Sequence, residues 1–403
     1  MKKTCLIIGA SHAGGQAAIS LRQAGYEDDI LLIGDEGYLP YHRPPLSKDF
    51  LFGGKDLGDI LIRPQDTYDV GNIETVLGQK VHSIERKDKL IFMGEGHVIA
   101  YDKVIIATGA SARKLPIKGV NLPGVFYLRS ANDVLAIKQQ AAAGKRAVII
   151  GGGYIGLETA ASLTKQGMKV TVLEMEERIL QRVTAPVMSS FYKRIHEEEG
   201  VQIIENCTAS EIKEGLMVYT KDGQKFDADI VIIGIGVIPN QQLARKCGLE
   251  VGNGIIVDAF CRTSDPDIYA IGDVAWHYNS IYDTRLRIES VPNATDMAKT
   301  VAAHLCGIEK PYNQLPWFWS DQFDLKLQIA GLSSGYEEVV LRGDPDNGRS
   351  FAAFYFKEDR LLAVDAVNRP QEYMIGKRFI PVGKSIDKKA LTDENVPLKS
   401  FLK

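Results

Sequence analysis

The sequence predicts an α/β fold with two parallel-sheet units and a small α+β domain at its C-terminal end. Three observations predict it: an apolar strand that runs through a glycine turn into an amphipathic helix near the N-terminus, a second copy of that pattern in mid-chain, and a change to alternating strands from about residue 316.

The first copy reads LIIGASHAGGQAAISLRQAG and then DDILLIGDE, a strand, a turn, a helix ended by Gly25 and a second strand ended by Asp35. The second reads AVIIGGGYIGLETAASLTKQG and then MKVTVLE. Gly9 matches Gly151, Ser11 matches Gly153, Gly14 matches Gly156 and Gly25 matches Gly167. In such a unit the first glycine makes the tight turn, the second lets backbone approach a pyrophosphate, and the third lets helix and strand pack closely. The helix then offers free N–H groups and the positive end of its dipole to phosphate. An acid closing the second strand takes the hydroxyls of an adenosine ribose, and Asp35 and Glu174 stand 26 and 23 residues after Gly9 and Gly151. A single glycine motif is weak evidence. Two copies with matching acids predict two Rossmann-like dinucleotide-binding domains. Ser11 departs from the pattern, and its Cβ must be accommodated beside the pyrophosphate. Ile155, inside the second turn, joins the cofactor-binding residues. After Glu174 come Met175, Glu176 and Glu177 before Arg178, so no adjacent arginine is offered to a ribose 2′-phosphate and NADH is expected over NADPH.

Composition excludes other classes. With 403 residues, 45% hydrophobic and 25% charged, the chain has material for two or three cored domains. A formal net charge of -3 argues against nucleic acid as a partner. No apolar run approaches the roughly 20 residues of a membrane-spanning helix, and the short run after Met1-Lys2-Lys3-Thr4 passes straight into a glycine turn, so a cytoplasmic protein without a membrane partner is expected. Cys5, Cys207, Cys247, Cys261 and Cys306 are scattered without a C-x-x-C pair, which suggests no disulfide framework and no metal site.

Between the copies, YDKVIIATGASARKLP ends a strand at Ala107-Thr108-Gly109; after the second copy come ADIVIIGIGVIPN, with Gly236, and DIYAIGDVA, with Gly272-Asp273. In this order the motifs resemble the two-dinucleotide-domain flavoprotein reductases, glutathione-reductase-like proteins whose NAD domain is inserted in the FAD domain. The resemblance implies FAD as cofactor and Asp273 presented to the flavin ribityl chain. It divides the chain into an FAD-binding domain at 1-110 and 236-313, an NAD-binding domain at 111-235 and a C-terminal α+β domain at 314-403. The last of these reads as a small antiparallel sheet, LKLQIAGL, SFAAFYFK and RLLAVDAVN, carrying two short helices.

Three segments narrow the family: YHRPPLSKDFL, RIESVPNATDMAK and PWFWSDQFDLKLQIAG. Together they resemble the FAD-dependent ferredoxin reductases of bacterial oxygenase systems, the aromatic-ring dioxygenase reductase and putidaredoxin reductase family. On the residues alone, Pro44 and Pro45 stiffen a helix entry and Lys48 reads as a solvated lysine; Glu158 reads as a helix-start acid. The resemblance implies instead that Lys48 lies near the flavin N5 edge, that Glu158 pairs with it and touches the nicotinamide, and that Trp319 reaches the flavin pocket from the C-terminal domain. It also implies FAD contacts for Ala13, Val81, Arg129 and Val291. His42, where many relatives carry aspartate, is given no role. Disulfide reductases of this fold keep one or two cysteines near residues 40–50, and this chain has none there. The implied activity passes electrons from NADH through FAD to a 2Fe-2S ferredoxin that supplies an oxygenase of aromatic hydrocarbon catabolism. Two alternatives stand beside it: an NADH oxidase that reduces oxygen directly, and a redox-sensing interaction protein like the apoptosis-inducing flavoproteins.

Overall fold

The run Cys5-Leu6-Ile7-Ile8 has no polar side chain to turn toward water, and it becomes the buried central strand β1 (Thr4–Ile8) of a parallel sheet. The computed structural model describes residues 3–402. From β1 the chain turns at Gly9 into α1 (His12–Gln23), which ends at the left-handed Gly25, and returns as β2 (Asp29–Ile33). The sheet runs in the order Ile268–Ala270, Lys103–Ile106, β1, β2, Ile73–Val76, and every pairing is parallel.

The second glycine turn builds the same object. β3 (Arg146–Ile150), α2 (Tyr154–Lys165) and β4 (Lys169–Leu173) lie in a five-stranded parallel sheet of order Gln202–Ile204, β4, β3, Ile230–Ile233, Val125–Tyr127. Correspondence reaches the register: Ile8 stands opposite Ile33 and Ile106, and Ile150 opposite Leu173 and Ile233.

The third glycine of each turn is required by contact. A Cβ on Gly14 would sit 1.8 Å from the Gly9 carbonyl oxygen, and one on Gly156 would sit 2.1 Å from that of Gly151. Each helix therefore crosses directly over the end of its strand. That close crossing is what points the helix N-terminus at the sheet's carboxyl edge.

After Pro316 the chain forms a five-stranded antiparallel sheet in the order β5 (Trp317–Gln322), Leu325–Gly331, Arg360–Val367, Phe351–Lys357, Glu338–Gly343. Helices Pro370–Phe379 and Lys388–Thr392 follow it. The two outermost strands were not separated in the sequence reading. Three consecutive aromatics hide the alternation of β5, and Glu338–Gly343 is a short edge strand.

By internal contacts the chain divides into two compact units. One comprises Met1–Arg43, Leu57–Ser111 and Val237–Pro316, and holds the first parallel sheet; the other comprises Pro44–Asp56, Ala112–Gly236 and Trp317–Lys403, and holds the second parallel sheet with the antiparallel one. Among the described residues no helix is long and apolar enough to cross a membrane.

Replacing Gly156 by alanine forces α2 away from β3. An overpacking cost of about 1–3 kcal/mol or more is expected, seen as a lower midpoint in thermal unfolding. An unchanged midpoint would show that the helix does not need its close crossing.

Candidate functional site

At the first glycine turn, the head of α1 carries no side-chain cap and no acid in its first turn, so its leading N–H groups remain available to an anion. Helix Ala131–Gln140, by contrast, is closed by Ser130 and Asp133 in a capping box. Ser11, at the N-cap position of α1, spends its hydroxyl elsewhere and accepts a hydrogen bond from Arg43 Nε at 2.8 Å. The same guanidinium donates to Glu36 at 2.5 Å, and Tyr41 donates to the other Glu36 oxygen at 2.5 Å. A cation braced beside an uncapped helix head suits a pyrophosphate.

Gly9, Ser11, Asp35, Val81, Ala107 and Thr108 line one pocket here, together with Arg43, Glu36, Lys80 and Lys246. Ala13 and Gly14, farther along α1, are buried and do not line it. Gly272 (φ +73°) meets Ala13 so closely that an added Cβ would be 2.9 Å from the Ala13 Cβ. Gly109 has φ +63°, and Asn240 brackets it: its amide donates to the Thr108 carbonyl at 2.8 Å and its backbone N–H to the Gly109 carbonyl at 2.9 Å. Asp273 and Val291, the latter opening helix Val291–Leu305, are half-buried and do not line this pocket. Arg43, Glu36 and Asn240 were missed in the sequence. Their signal was position alone: Arg43 inside YHRPPLSK, Glu36 beside Asp35, and Asn240 closing GVIPN.

The second turn is arranged alike. α2 starts from Gly153, with no side-chain cap and no acid in its first turn. Gly151 has φ +115°, and Ile155 presents an apolar side chain to solvent. Glu174, closing β4, is buried and accepts from the Gly152 N–H at 2.6 Å and the Glu176 N–H at 2.9 Å. A carboxylate has about four lone-pair sites, so these two bonds orient it and leave it able to accept from a ribose. Arg178 is turned inward, donating to the Ser189 hydroxyl and to the carbonyls of Gln181 and Thr184. Gly236 has φ +96° and its carbonyl accepts from the Arg113 N–H; the Arg129 N–H donates to Asp133.

Glu158, one turn into α2, is not a solvated acid: it is 5% exposed. Its Oε2 receives the Lys48 ammonium at 2.6 Å and the Ser47 hydroxyl at 2.5 Å, and its Oε1 receives the Ser320 hydroxyl at 2.6 Å. Lys48 is mostly covered as well, with 18% of its side chain exposed. Farther along α2, Ser162 donates to the Ser47 carbonyl at 2.7 Å and Gln166 to the Leu51 carbonyl at 2.8 Å. Residues 158, 162 and 166 recur every four positions and so fall on one helix face. That polar stripe holds the segment at Ser47, Lys48 and Leu51, and Pro44–Asp56 belongs with the second unit. Ser162 and Gln166 escaped the sequence reading, although the four-residue polar spacing from Glu158 could have flagged them.

β5 presents its residues by the two-residue period of a strand. Trp317 and Trp319 share a face, with ring centroids 5.6 Å apart, while Phe318 and Ser320 point the other way, Phe318 lying 5.1 Å from the Tyr154 ring. Trp319 is half-buried and its strand neighbour is Gln328.

Residues 3–298 match the family model described as pyridine nucleotide-disulphide oxidoreductase, and residues 317–402 match the one described as reductase C-terminal. The chain is 41% identical to putidaredoxin reductase CamA of Pseudomonas putida over 98% of its own length and 96% of that protein's. It is 41% identical to the 5,5'-dehydrodivanillate O-demethylase ferredoxin reductase subunit of Sphingobium sp., over 98% of each chain. A crystal structure of the covalent putidaredoxin reductase-putidaredoxin complex superposes with a TM-score of 0.96 at 40% identity, covering 99% of this chain and 98% of that one.

Removing one partner of a buried ion pair strands the other. Glu158→Ala is expected to destabilise the protein by somewhat less than the about 3–5 kcal/mol of a fully buried broken pair, because Lys48 keeps some contact with water. The double variant Lys48→Met/Glu158→Leu should recover most of that loss. Thermal unfolding of the three proteins checks both statements, and a double variant less stable than Glu158→Ala would refute the pairing account.

Proposed function

We propose, on the premise that this chain belongs to the pyridine nucleotide-disulphide oxidoreductase family, that it takes hydride from NADH onto bound FAD and passes the electrons singly to a 2Fe-2S ferredoxin serving an oxygenase. The observation that carries the reading is the Lys48–Glu158 pair, seated in PPLSKDFL with no cysteine beside it; all five cysteines are free thiols elsewhere in the chain. Relatives similar over nearly their whole length are, by name, a putidaredoxin reductase and a ferredoxin reductase subunit.

The first turn fits FAD. Its uncapped helix head, the braced Arg43 and the acids Asp35 and Glu36 form a donor and acceptor set for pyrophosphate and adenosine ribose. We read residues 1-110 and 236-313 as the FAD-binding domain, with Ala13, Gly14, Gly272, Asp273 and Val291 along the rest of the cofactor. Residues 111-235 are the NAD-binding domain, in which Gly151, Gly153, Ile155, Gly156 and Glu174 hold NADH, and Gly236, the residue that follows it, is a further cofactor contact. Residues 314-403 are the C-terminal domain that supplies Trp319. When bound, flavin supplies the chemistry that accepts a hydride as an electron pair and releases electrons one at a time. Glu158 keeps Lys48 ordered, and Lys48 places a fixed positive charge at the flavin edge. Without a neighbouring cysteine no disulfide stores the pair, so a one-electron protein acceptor follows. Lys377 stands 5.2 Å over the Trp317 ring and Arg378 is exposed, so the C-terminal domain offers cations to an acidic carrier.

Because Glu174 is fixed and Arg178 is turned inward, a 2′-phosphate meets acid without a partner. NADH should exceed NADPH in kcat/KM by about tenfold or more, roughly 1.4 kcal/mol. Dye-reduction kinetics measure this, and parity between the coenzymes would contradict the site.

Reduction of a two-iron ferredoxin should slow as ionic strength rises, since attraction between exposed charges is screened over about 10 Å at 0.1 M salt. Steady-state reduction across a salt series, with oxygen consumption followed in parallel, tests the carrier. If oxygen uptake equals NADH loss and ferredoxin adds nothing, the protein is an oxidase instead.

A further inference from the structure

Behind Glu158 runs a buried line of hydrogen bonds. Ser320 Oγ lies 2.6 Å from Glu158 Oε1, Gln322 Nε2 lies 3.1 Å from Ser320 Oγ, and His196 Nε2 lies 2.8 Å from Gln322 Oε1. Ser320 and His196 are fully buried and Gln322 is 1% exposed. Such a line is unusual cargo for a core, because every polar atom taken from water must be matched.

Its direction follows from elementary chemistry. An ionised carboxylate only accepts, so Ser320 must donate to Glu158. The Ser320 oxygen then accepts from the Gln322 amide nitrogen, which leaves the Gln322 carbonyl to accept from His196 Nε2–H. Every donor points toward the carboxylate, and bonds aligned in this way polarise one another. Burial lowers the His196 pKa to about 4, so the ring is neutral near pH 7 and must hold its proton on Nε2. Its Nδ1 has no hydrogen-bond partner among the described residues. The line therefore ends at the imidazole.

We infer that Ser320, backed by Gln322 and His196, is a positioning residue for hydride transfer: it keeps the Glu158 carboxylate aimed, and through it keeps Lys48 in place. This rests on the reading that Lys48 and Glu158 serve the reaction between NADH and FAD. Trp319 and Ser320 are consecutive on β5 and point to opposite faces, so the C-terminal sheet enters the site by a residue that no aromatic pattern signals.

The titratable groups around Glu158 are few. Lys48 reaches it from the PPLSKDFL segment, and Tyr154 on its own helix and Tyr192 on Pro186–Glu198 lie near enough for its charge to raise their pKa values, behind the larger effect of burial. Asp365 acts on both tyrosines from the antiparallel sheet. Asp49 is exposed and pairs with Lys55, and Asp321 is exposed between Ser320 and Gln322. The three donors to Glu158 are thus Lys48, Ser47 and Ser320, and Ser320 is the donor to Oε1.

The test is infrared spectroscopy of the flavin-loaded protein near pH 7, following the carboxylate stretching band, with Glu158→Gln to assign it. In Ser320→Ala the Glu158 band should shift in frequency, as expected when a carboxylate loses one charge-assisted hydrogen bond. Ser320→Thr, which keeps the hydroxyl, should restore the wild-type position. Gln322→Met should shift the band in the same direction by less, and carries the test if Ser320→Ala does not fold. Stopped-flow reduction of the flavin by NADH should slow in the same variants. Band and rate unchanged in Ser320→Ala, or in Gln322→Met alone if only that variant folds, would reduce Ser320 to packing. If NADH fails to reduce the wild-type flavin, the reading of the reaction is wrong, while the infrared band still decides whether Ser320 holds the Glu158 carboxylate.

Discussion

The structure of the second unit is organised around one constraint, the burial of a carboxylate. Glu158 has lost its water, and an unpaired charge in that position costs several kcal/mol. Lys48 and Ser47 reach it from a proline-stiffened segment and Ser320 from the C-terminal sheet. Two pieces of chain far apart in sequence are thereby drawn to one helix face. Ser162 and Gln166 extend the same grip along α2. A buried ion pair is a poor source of stability compared with apolar packing of equal volume. Its retention here is explained by what it places: a fixed positive charge, Lys48 Nζ, whose position is set by a rigid helix rather than by a flexible stem.

A second economy appears at the two glycine turns. Both helices leave their first N–H groups uncapped, which costs helix stability in the free protein. The same absence makes the turn an anion site, since a capping side chain would occupy the donors that a phosphate needs. The copies then diverge in how they use acid. In the second, Glu174 is buried and oriented by two backbone N–H groups. In the first, Asp35 stays exposed, while its neighbour Glu36 is bound by Tyr41 and Arg43, and Arg43 in turn takes the hydroxyl of Ser11. Serine at the place of the middle glycine is thus a working residue that helps hold a cation at the turn.

Much of this was legible in the sequence. Period, glycine spacing and the closing acids predicted both parallel units, and the matching registers of β1 and β3 show how complete the repetition is. Motif spacing singled out Glu174, whereas Lys48 and Glu158, on the residues alone a solvated lysine and a helix-start acid, were singled out by the family resemblance. Arg43, Asn240, Ser162 and Ser320 were not legible. They act through contacts made across large sequence separations, and nothing in the local pattern distinguishes a serine that satisfies a buried carboxylate from one that faces water. β5 was obscured for a different reason: WFW has no polar member, so the alternation that marks a strand is invisible until Ser320.

That alternation explains how one strand can serve two tasks. Successive side chains of β5 leave on opposite faces, so Trp317 and Trp319 can meet whatever approaches one side while Phe318 and Ser320 meet α2 on the other. A one-residue slip in the pairing of β5 with Leu325–Gly331 would exchange the two sets, placing an indole against Glu158 and the serine hydroxyl beside Lys377. The register is pinned by six consecutive pairs, Trp317 with Ala330 through Gln322 with Leu325. It is pinned again at the buried end, where Gln322 bonds His196 on helix Pro186–Glu198. The C-terminal sheet therefore does more than cover an edge. Its register decides whether Glu158 has a donor on Oε1, and so the same backbone hydrogen bonds that hold the aromatic face in place also set the charge environment of Lys48.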